Sequence, residues 1–312
     1  MQEMYIKNGR VFLGNELKKV NLKLRDGRIE KIVGADSENP QEASVYDAGG
    51  HYIVPGFIDV HTHGAVNIDV NAAAAEDLET LSRFYASQGA TAWLASVLTD
   101  TKEQTLWCIR QYRKYREKET GGAQLLGIHL EGPFLAAEYK GAMPERLLLK
   151  GDICLIREYQ EAAEGGIRYI TVSPEVEGVE EIIPQLNELG IVAALGHSGA
   201  DYETTLHCIG QGAKAATHTF NAMKLCHQHF PAIAGAVLES DVYCEAICDG
   251  RHLHPGMVRL LLKTKGWDRV VAMTDSIMAT GLPDGHYKLG VNDVIVTDGD
   301  AKLADGTRAG ST

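Results

Sequence analysis

His61 and His63 stand one residue apart at the end of an apolar run, in the stretch VPGFIDVHTHG. Alternate side chains of a strand share a face, so the two imidazoles would lie side by side, as two ligands of one metal ion do. That spacing also occurs in loops and exposed strands. The residues that close other apolar runs decide between the two. LLGIHLE ends in Glu131, VAALGH in His197, KAATH in His218 and VVAMTD in Asp275. A lone histidine is more often a hydrogen-bonded core residue, and a lone aspartate after a strand is often a helix cap. Four histidines and two carboxylates at the same end of five strands make a metal site. Nitrogen and carboxylate donors without thiolates suit zinc, iron, manganese or cobalt rather than calcium or magnesium. Six candidates exceed the three protein ligands of a catalytic zinc. Two ions bridged by Glu131 therefore fit, with His61 and His63 on one and His197 and His218 on the other. Asp275 is then the base that accepts a proton from the attacking water and returns it to the leaving group.

The elements that must position these residues are legible as a repeating texture. From about residue 52, the runs HYIVPGFIDV, TAWLASV, AQLLGIHL, IRYITVS, IVAALGH, AKAATH, VYCEAIC and RVVAMTD read as strands. Between several of them lie helical segments: AAAAEDLETLSRFYASQ, KEQTLWCIRQYRKYREK, VEEIIPQLNELG, DYETTLHCIGQG and HPGMVRLLLKTK. Continuous apolar strands alternating with amphipathic helices predict a parallel sheet covered on both faces. Eight such strands predict an α/β fold, a (β/α)8 TIM barrel, whose active site lies at the C-terminal strand ends. A doubly wound sheet is the competing architecture, but no glycine-rich dinucleotide fingerprint follows the first strand. Residues 1–53 read as short strands joined by NG and DG turns, and residues 288–312 return to that pattern. The expected division is a small β domain built from both ends, around a barrel at 54–287.

Composition narrows the functional classes. The 312 residues are 45% hydrophobic and 23% charged, with 30 basic against 42 acidic side chains, a formal charge of −12. Without a basic run, nucleic acid and anionic membranes are not expected partners. The N-terminus has charge and glycine where a signal peptide needs an apolar stretch, and no run approaches membrane-spanning length. The six cysteines form no CxxC pair and are expected to be buried thiols. These features predict a cytoplasmic protein.

Together PGFIDVHTHG, GIHLEGPFL, LGHSGA, ATHTFNAM, CDGRHLHP and MTDSIMATGLPDGHYKLG resemble the N-acetylglucosamine-6-phosphate deacetylase family of the amidohydrolase superfamily. The resemblance runs from about residue 5 to the last residue. HLEGPF with HTFNAM is specific to that family, whereas HxH belongs to the whole superfamily. It implies a (β/α)8 barrel with a small β-sandwich, and hydrolysis of an acetamide to acetate and glucosamine 6-phosphate. It implies Glu131, His197 and His218 as principal metal ligands, and Asp275 as catalytic acid/base. Members with HxH can hold a second ion, so one or two divalent ions, zinc or iron, are expected. By the same resemblance, Asn221 and Ala222 contact the sugar phosphate, and His252 binds substrate and helps polarise the carbonyl. A homodimer is implied as well.

Three positions depart from the family pattern. His229 stands about where the family has an arginine that grips the phosphate across a dimer interface. Only an arginine makes a bidentate contact there, and Lys224 and His227 are the nearby cations. Met143 replaces a substrate-side histidine in the run Lys140-Gly141-Ala142-Met143, and Asn67 replaces a glycine after His63. The family also continues past AGST with a last barrel helix and closing strands. A chain ending at Thr312 is therefore expected to be a shortened form, with apolar faces of strands one and eight exposed. Cyclic amidases of the superfamily are the competing enzymes, but they bridge two metals with a lysine on strand four, and IRYITVSPE has none. A sugar-binding relative without catalysis is the non-enzyme alternative, because a fold alone does not fix activity.

Overall fold

The computed structural model describes residues 3–37, 44–116 and 121–312, and the chain divides into compact units at 1–56 and 57–312. In the first unit, β1 (Glu3–Leu13), β2 (Glu16–Arg25), β3 (Arg28–Gly34), β4 (Ser44–Asp47) and β5 (Tyr52–Ile53) form one sheet. Its order is β3-β2-β1-β4, with β5 also beside β1. The hairpin turns are Gly14-Asn15 and Asp26-Gly27, all with left-handed backbones that match the strand twist. The expected turn at Asn8-Gly9 is instead a bulge inside β1. Lys7 and Asn8 together oppose Asn21, between the Ile6–Leu22 and Gly9–Val20 pairs. Glycine suits position 9, because a Cβ would come within 2.3 Å of the end of the Ile53 side chain, which would have to move. Here only Asn8 is left-handed (φ 58°), and a left-handed Asn before Gly serves a bulge as well as a turn, so the dipeptide alone does not distinguish them.

The second unit contains the eight barrel strands expected from the sequence, except that of HYIVPGFIDV only the part from Phe57 joins it, while Tyr52–Ile53 pair with β1 in the first unit. After β6 (Phe57–Thr62) come a two-stranded ribbon, β7 (Gly64–Ala65) and β8 (Ile68–Asp69), and then α1 (Ala75–Ser87). The chain continues through β9 (Ala90–Leu98), α2 (Lys102–Arg116), β10 (Gln124–Glu131), α3 (Ile153–Ala162), β11 (Ile167–Val172) and α4 (Val179–Glu188). It completes the cycle with β12 (Val192–Leu195), α5 (Tyr202–Gly210), β13 (Ala215–Ala216), α6 (Ala232–Glu239), β14 (Tyr243–Ile247), α7 (Pro255–Lys265) and β15 (Val270–Met273). All neighbours in the order β15-β14-β13-β12-β11-β10-β9-β6 are parallel. The ring closes just beyond β15: Asp275 N donates to His61 O at 2.9 Å, and His63 N donates to Ser276 O at 2.7 Å.

Two helices were not foreseen. Five of the eight residues of α6, AIAGAVLE, are buried. Such a segment has no polar face, so its period is invisible. Helix α3 does carry a start signal, since the Asp152 carboxylate accepts from the amides of Cys154 and Leu155. Of the cysteines, 108, 208 and 244 are buried as expected, whereas 154, 226 and 248 are exposed, and all are free.

The helices seal the barrel through a continuous core in which Trp93 is fully buried and its indole N–H donates to Ser82 Oγ on α1 at 2.9 Å. Trp93→Ala should cost about 3–5 kcal/mol, because both packing and this bond are lost; a denaturant midpoint unchanged from wild type would contradict that role. After the barrel, β16 (Gly285–Leu289), β17 (Asn292–Thr297) and β18 (Asp300–Lys302) form an antiparallel sheet within this second unit. Its core joins Leu289, Val294 and Val296 to Leu98, Met143 and Ile277. The sheet thereby stands over the mouth of the barrel. Among the described residues no helix is long and apolar enough to cross a membrane.

Candidate active site

Five of the barrel strands bring a polar residue at or just beyond their ends into one cluster. His197, His218 and Asp275 lie two residues beyond β12, β13 and β15, and all three have positive φ (48°, 29° and 51°). A left-handed backbone is uncommon outside glycine, though histidine and aspartate adopt it more readily than most, and it clusters where a site over-determines it. His61 lies within β6, His63 just after it, and Glu131 closes β10.

The six residues meet at the base of one cleft, which all but the fully buried His61 line, and all but Asp275 are almost wholly buried. Glu131 is the centre. Its Oε1 lies 3.1 Å from His197 Nε2, 3.3 Å from His218 Nε2 and 3.3 Å from His61 Nε2; its Oε2 lies 3.1 Å from His63 Nε2. Asp275 Oδ1 is 3.3 Å from His63 Nε2 and 3.5 Å from His61 Nε2. Two groups of three potential ligands result: His61, His63 and Asp275, and Glu131, His197 and His218.

The outer nitrogens of the four histidines decide what the inner ones can do. His63 Nδ1 faces the Ser96 carbonyl at 3.1 Å, His197 Nδ1 that of Tyr139 at 2.7 Å, and His218 Nδ1 that of Asn221 at 3.0 Å. A carbonyl only accepts, so each Nδ1 carries the hydrogen and each neutral ring turns a bare Nε2 lone pair inward. His61 Nδ1 is 3.1 Å from Glu245 Oε2, with the same consequence. Yet the Nε2 atoms of His197 and His218 approach to 2.9 Å, and those of His61 and His63 to 3.1 Å. Lone pairs facing each other repel unless a cation lies between them, and two nitrogens on one tetrahedral zinc are about 3.3 Å apart. The residues present therefore fit divalent metal ions.

Where no metal ion lies between the rings of His61 and His63, the pair takes up a proton instead, which meets the same need for a cation. Burial would push His61 and His63 down, but the Glu131 and Asp275 carboxylates outweigh it and raise both, His63 to about 9. Burial likewise opposes ionisation of Glu131 and Asp275, yet the facing imidazoles hold both below the ordinary carboxylate range. The cavity demands positive charge. His129 packs beneath His61, ring centroids 4.5 Å apart, and spends both nitrogens on the Ser96 and Thr171 hydroxyls. It is floor rather than ligand.

The cleft above has a volume of about 430 Å³, within the usual range for small-molecule sites. Its walls include Ala142, Met143, Asn221, Ala222 and His252, five of the six residues expected to bind substrate. His252 Nδ1 faces Asp249 Oδ2 at 2.7 Å. Burial would raise Asp249, but bonds from the His252 side chain and backbone hold it low. The sixth residue, His229, lies outside these walls, on an exposed segment beside His227 with ring centroids 5.4 Å apart. Lys140 and Arg308 line the cleft and were not singled out from the sequence. Arg308 is already committed to Asp300, through Nε at 2.8 Å and Nη2 at 3.2 Å. Ser96, Tyr139 and Glu245 were also missed. The first two act through backbone carbonyls and leave no signal in sequence, whereas Glu245 is the one charged residue of VYCEAIC.

Comparison with known proteins agrees with this geometry. Residues 52–311 match the Amidohydrolase family. N-acetylglucosamine-6-phosphate deacetylase from Bacillus subtilis (strain 168) is 33% identical, over 99% of this chain and 80% of its own length. N-acetylgalactosamine-6-phosphate deacetylase from Escherichia coli O157:H7 is 30% identical, over 93% and 76%. An aspartate-to-alanine mutant of N-acetyl-D-glucosamine-6-phosphate deacetylase from Mycobacterium smegmatis, solved with N-acetyl-D-glucosamine-6-phosphate, superposes with a TM-score of 0.92 at 33% identity, covering 100% of this chain and 81% of that one. With its barrel, its metal-fitting cluster and these relatives, the chain belongs to the amidohydrolase family, on the N-acetylglucosamine-6-phosphate deacetylase branch.

Proposed function

We propose that this protein hydrolyses the acetamide of N-acetylglucosamine 6-phosphate to glucosamine 6-phosphate and acetate. The observation that carries this reading is Glu131 facing four imidazole Nε2 atoms, with Asp275 beside them at the floor of a sugar-sized cleft. Glu131, His197 and His218 would hold one divalent ion, and His61, His63 and Asp275 a second, zinc or iron. Such an ion supplies Lewis acidity toward the acetamide carbonyl and makes water nucleophilic near neutral pH.

The protein's own groups do the rest. Asp275 accepts the proton of the attacking water as the new C–O bond forms. It then passes that proton to the amide nitrogen, so that the C–N bond breaks to free amine and acetate. With Nδ1 committed to Asp249, His252 offers Nε2 to the substrate from the cleft wall. Asn221 and Ala222 border the sugar, and Met143 closes an apolar wall where a polar contact is absent.

Recognition of the phosphate rests on Lys140 within one chain, because the Arg308 guanidinium is held by Asp300. Leu225 and Phe230 are strongly exposed on the segment that carries His229. They support a homodimer in which this segment of one copy meets the cleft of the other.

Acetate release should be followed from N-acetylglucosamine 6-phosphate, N-acetylgalactosamine 6-phosphate and unphosphorylated N-acetylglucosamine, with metal content determined on the same sample. We expect the 6-phosphate of the gluco sugar to be preferred over the free sugar by about tenfold or more, the value of one charge-assisted hydrogen bond. Release from none of them by metal-loaded protein would overturn the reading. Treatment with a chelator should abolish turnover and added zinc or iron restore it; activity that survives complete removal of metal would contradict the assigned site.

A further inference from the structure

The four imidazoles are not held alike. Three of them, His63, His197 and His218, rest their outer nitrogen on a neutral backbone carbonyl. Only His61 rests on a side-chain carboxylate, that of Glu245, which is 1% exposed. The same oxygen, Oε2, also accepts from the backbone N–H of His218 at 3.0 Å. Glu245 sits within β14, on the barrel side next to β13, and its own carbonyl accepts from Thr219 N at 2.9 Å. One carboxylate oxygen therefore joins a member of the His61, His63 and Asp275 group to a member of the Glu131, His197 and His218 group.

We propose that Glu245 is the positioning residue that lets the His61, His63 and Asp275 group hold a second metal ion. The inference rests on the metal-dependent deacetylase reading above. Two physical reasons carry it. A carboxylate behind an imidazole fixes the ring and makes its inner nitrogen a stronger donor than a neutral carbonyl does. Charge counts as well. Two divalent ions beside four neutral imidazoles, Glu131 and Asp275 leave a larger uncompensated positive charge in a buried cavity than one ion does, and a third carboxylate at this spot offsets it. A structural part alone would not need a carboxylate here, because a backbone carbonyl suffices for the other three rings.

The test uses the holoprotein equilibrated against zinc buffers of decreasing free concentration, with bound zinc per chain read by elemental analysis. Wild type should release its ions in two steps. In Glu245→Ala the weaker ion should leave at a free zinc concentration about 10- to 100-fold higher, while the tighter ion should leave within about threefold of the wild-type concentration. Should the Ala variant fail to fold, Glu245→Gln keeps the shape and one acceptor oxygen without the charge, and should still shift the first step by about tenfold. Two steps unchanged in a folded variant would overturn the proposal. Two steps shifted equally would also overturn it, by making Glu245 a general structural residue. A wild type that keeps a single ion at every zinc concentration would remove the second site and leave the deacetylase reading intact. A wild type that binds no metal would sink both.

Discussion

Asp275→Asn is expected to lower kcat by about three orders of magnitude, the scale of a lost general acid/base, with the ion held by Glu131, His197 and His218 still in place. The substitution is well suited to the position. Asparagine tolerates the left-handed backbone that Asp275 adopts, and it has the same shape. The bonds that close the barrel here run through main-chain atoms, from Asp275 N to His61 O and from Ser311 N to Asp275 O, so the fold does not depend on the charge. What vanishes is an oxygen able to take up a proton and give it back. Since Asp275 Oδ1 also faces His61 and His63, the ion of that group should weaken as well. Steady-state rates and elemental analysis on one preparation separate the two effects. Turnover above a tenth of wild type, with metal bound, would remove Asp275 from the role of proton carrier.

A second large effect is expected at Glu131. Its two oxygens lie against Nε2 of all four histidines, so Glu131→Gln removes the anion that both ligand groups share. Metal affinity should fall by more than about 100-fold, beyond the range found for partners outside the ligand set. Stability should follow, because an ion that binds only the folded state adds about 2.7 kcal/mol at a hundredfold excess over its Kd. The wild-type Tm should rise with added zinc, whereas that of the variant should not respond below millimolar zinc. Retention of stoichiometric zinc by Glu131→Gln through dialysis would contradict the central place given to this carboxylate. Measuring Tm with and without metal distinguishes that result from simple misfolding.

Much of the site was legible because the barrel obeys a simple rule: strands carry apolar residues, and chemistry begins where they stop. The type of residue at each stop, His61, His63, Glu131, His197, His218 and Asp275, needed no coordinates. Neither did the parallel sheet, since eight buried strands write themselves as apolar runs. Where the pattern carried two meanings, structure was needed. Asn8-Gly9 forms a bulge rather than a turn because β1 continues past it, pairing with β2 on both sides. Helix α6 was hidden by the absence of a polar face.

By itself, then, the sequence determined the fold class, the end of the barrel that is active and the donor atoms available there. Tertiary structure decided which donors converge. Only packing around the ring sets the 2.9 Å approach of His197 to His218, places Glu131 among four imidazoles and leaves His229 outside the cleft. It also decided the outer partners, because the carbonyls of Ser96, Tyr139 and Asn221 are common to every residue type and carry no signature in sequence. Glu245 stands between the two cases: its charge was visible in an apolar strand, but its reach to His61 on another strand was not. Local periodicity is written residue by residue, whereas contacts between strands distant in sequence arise only when the barrel closes.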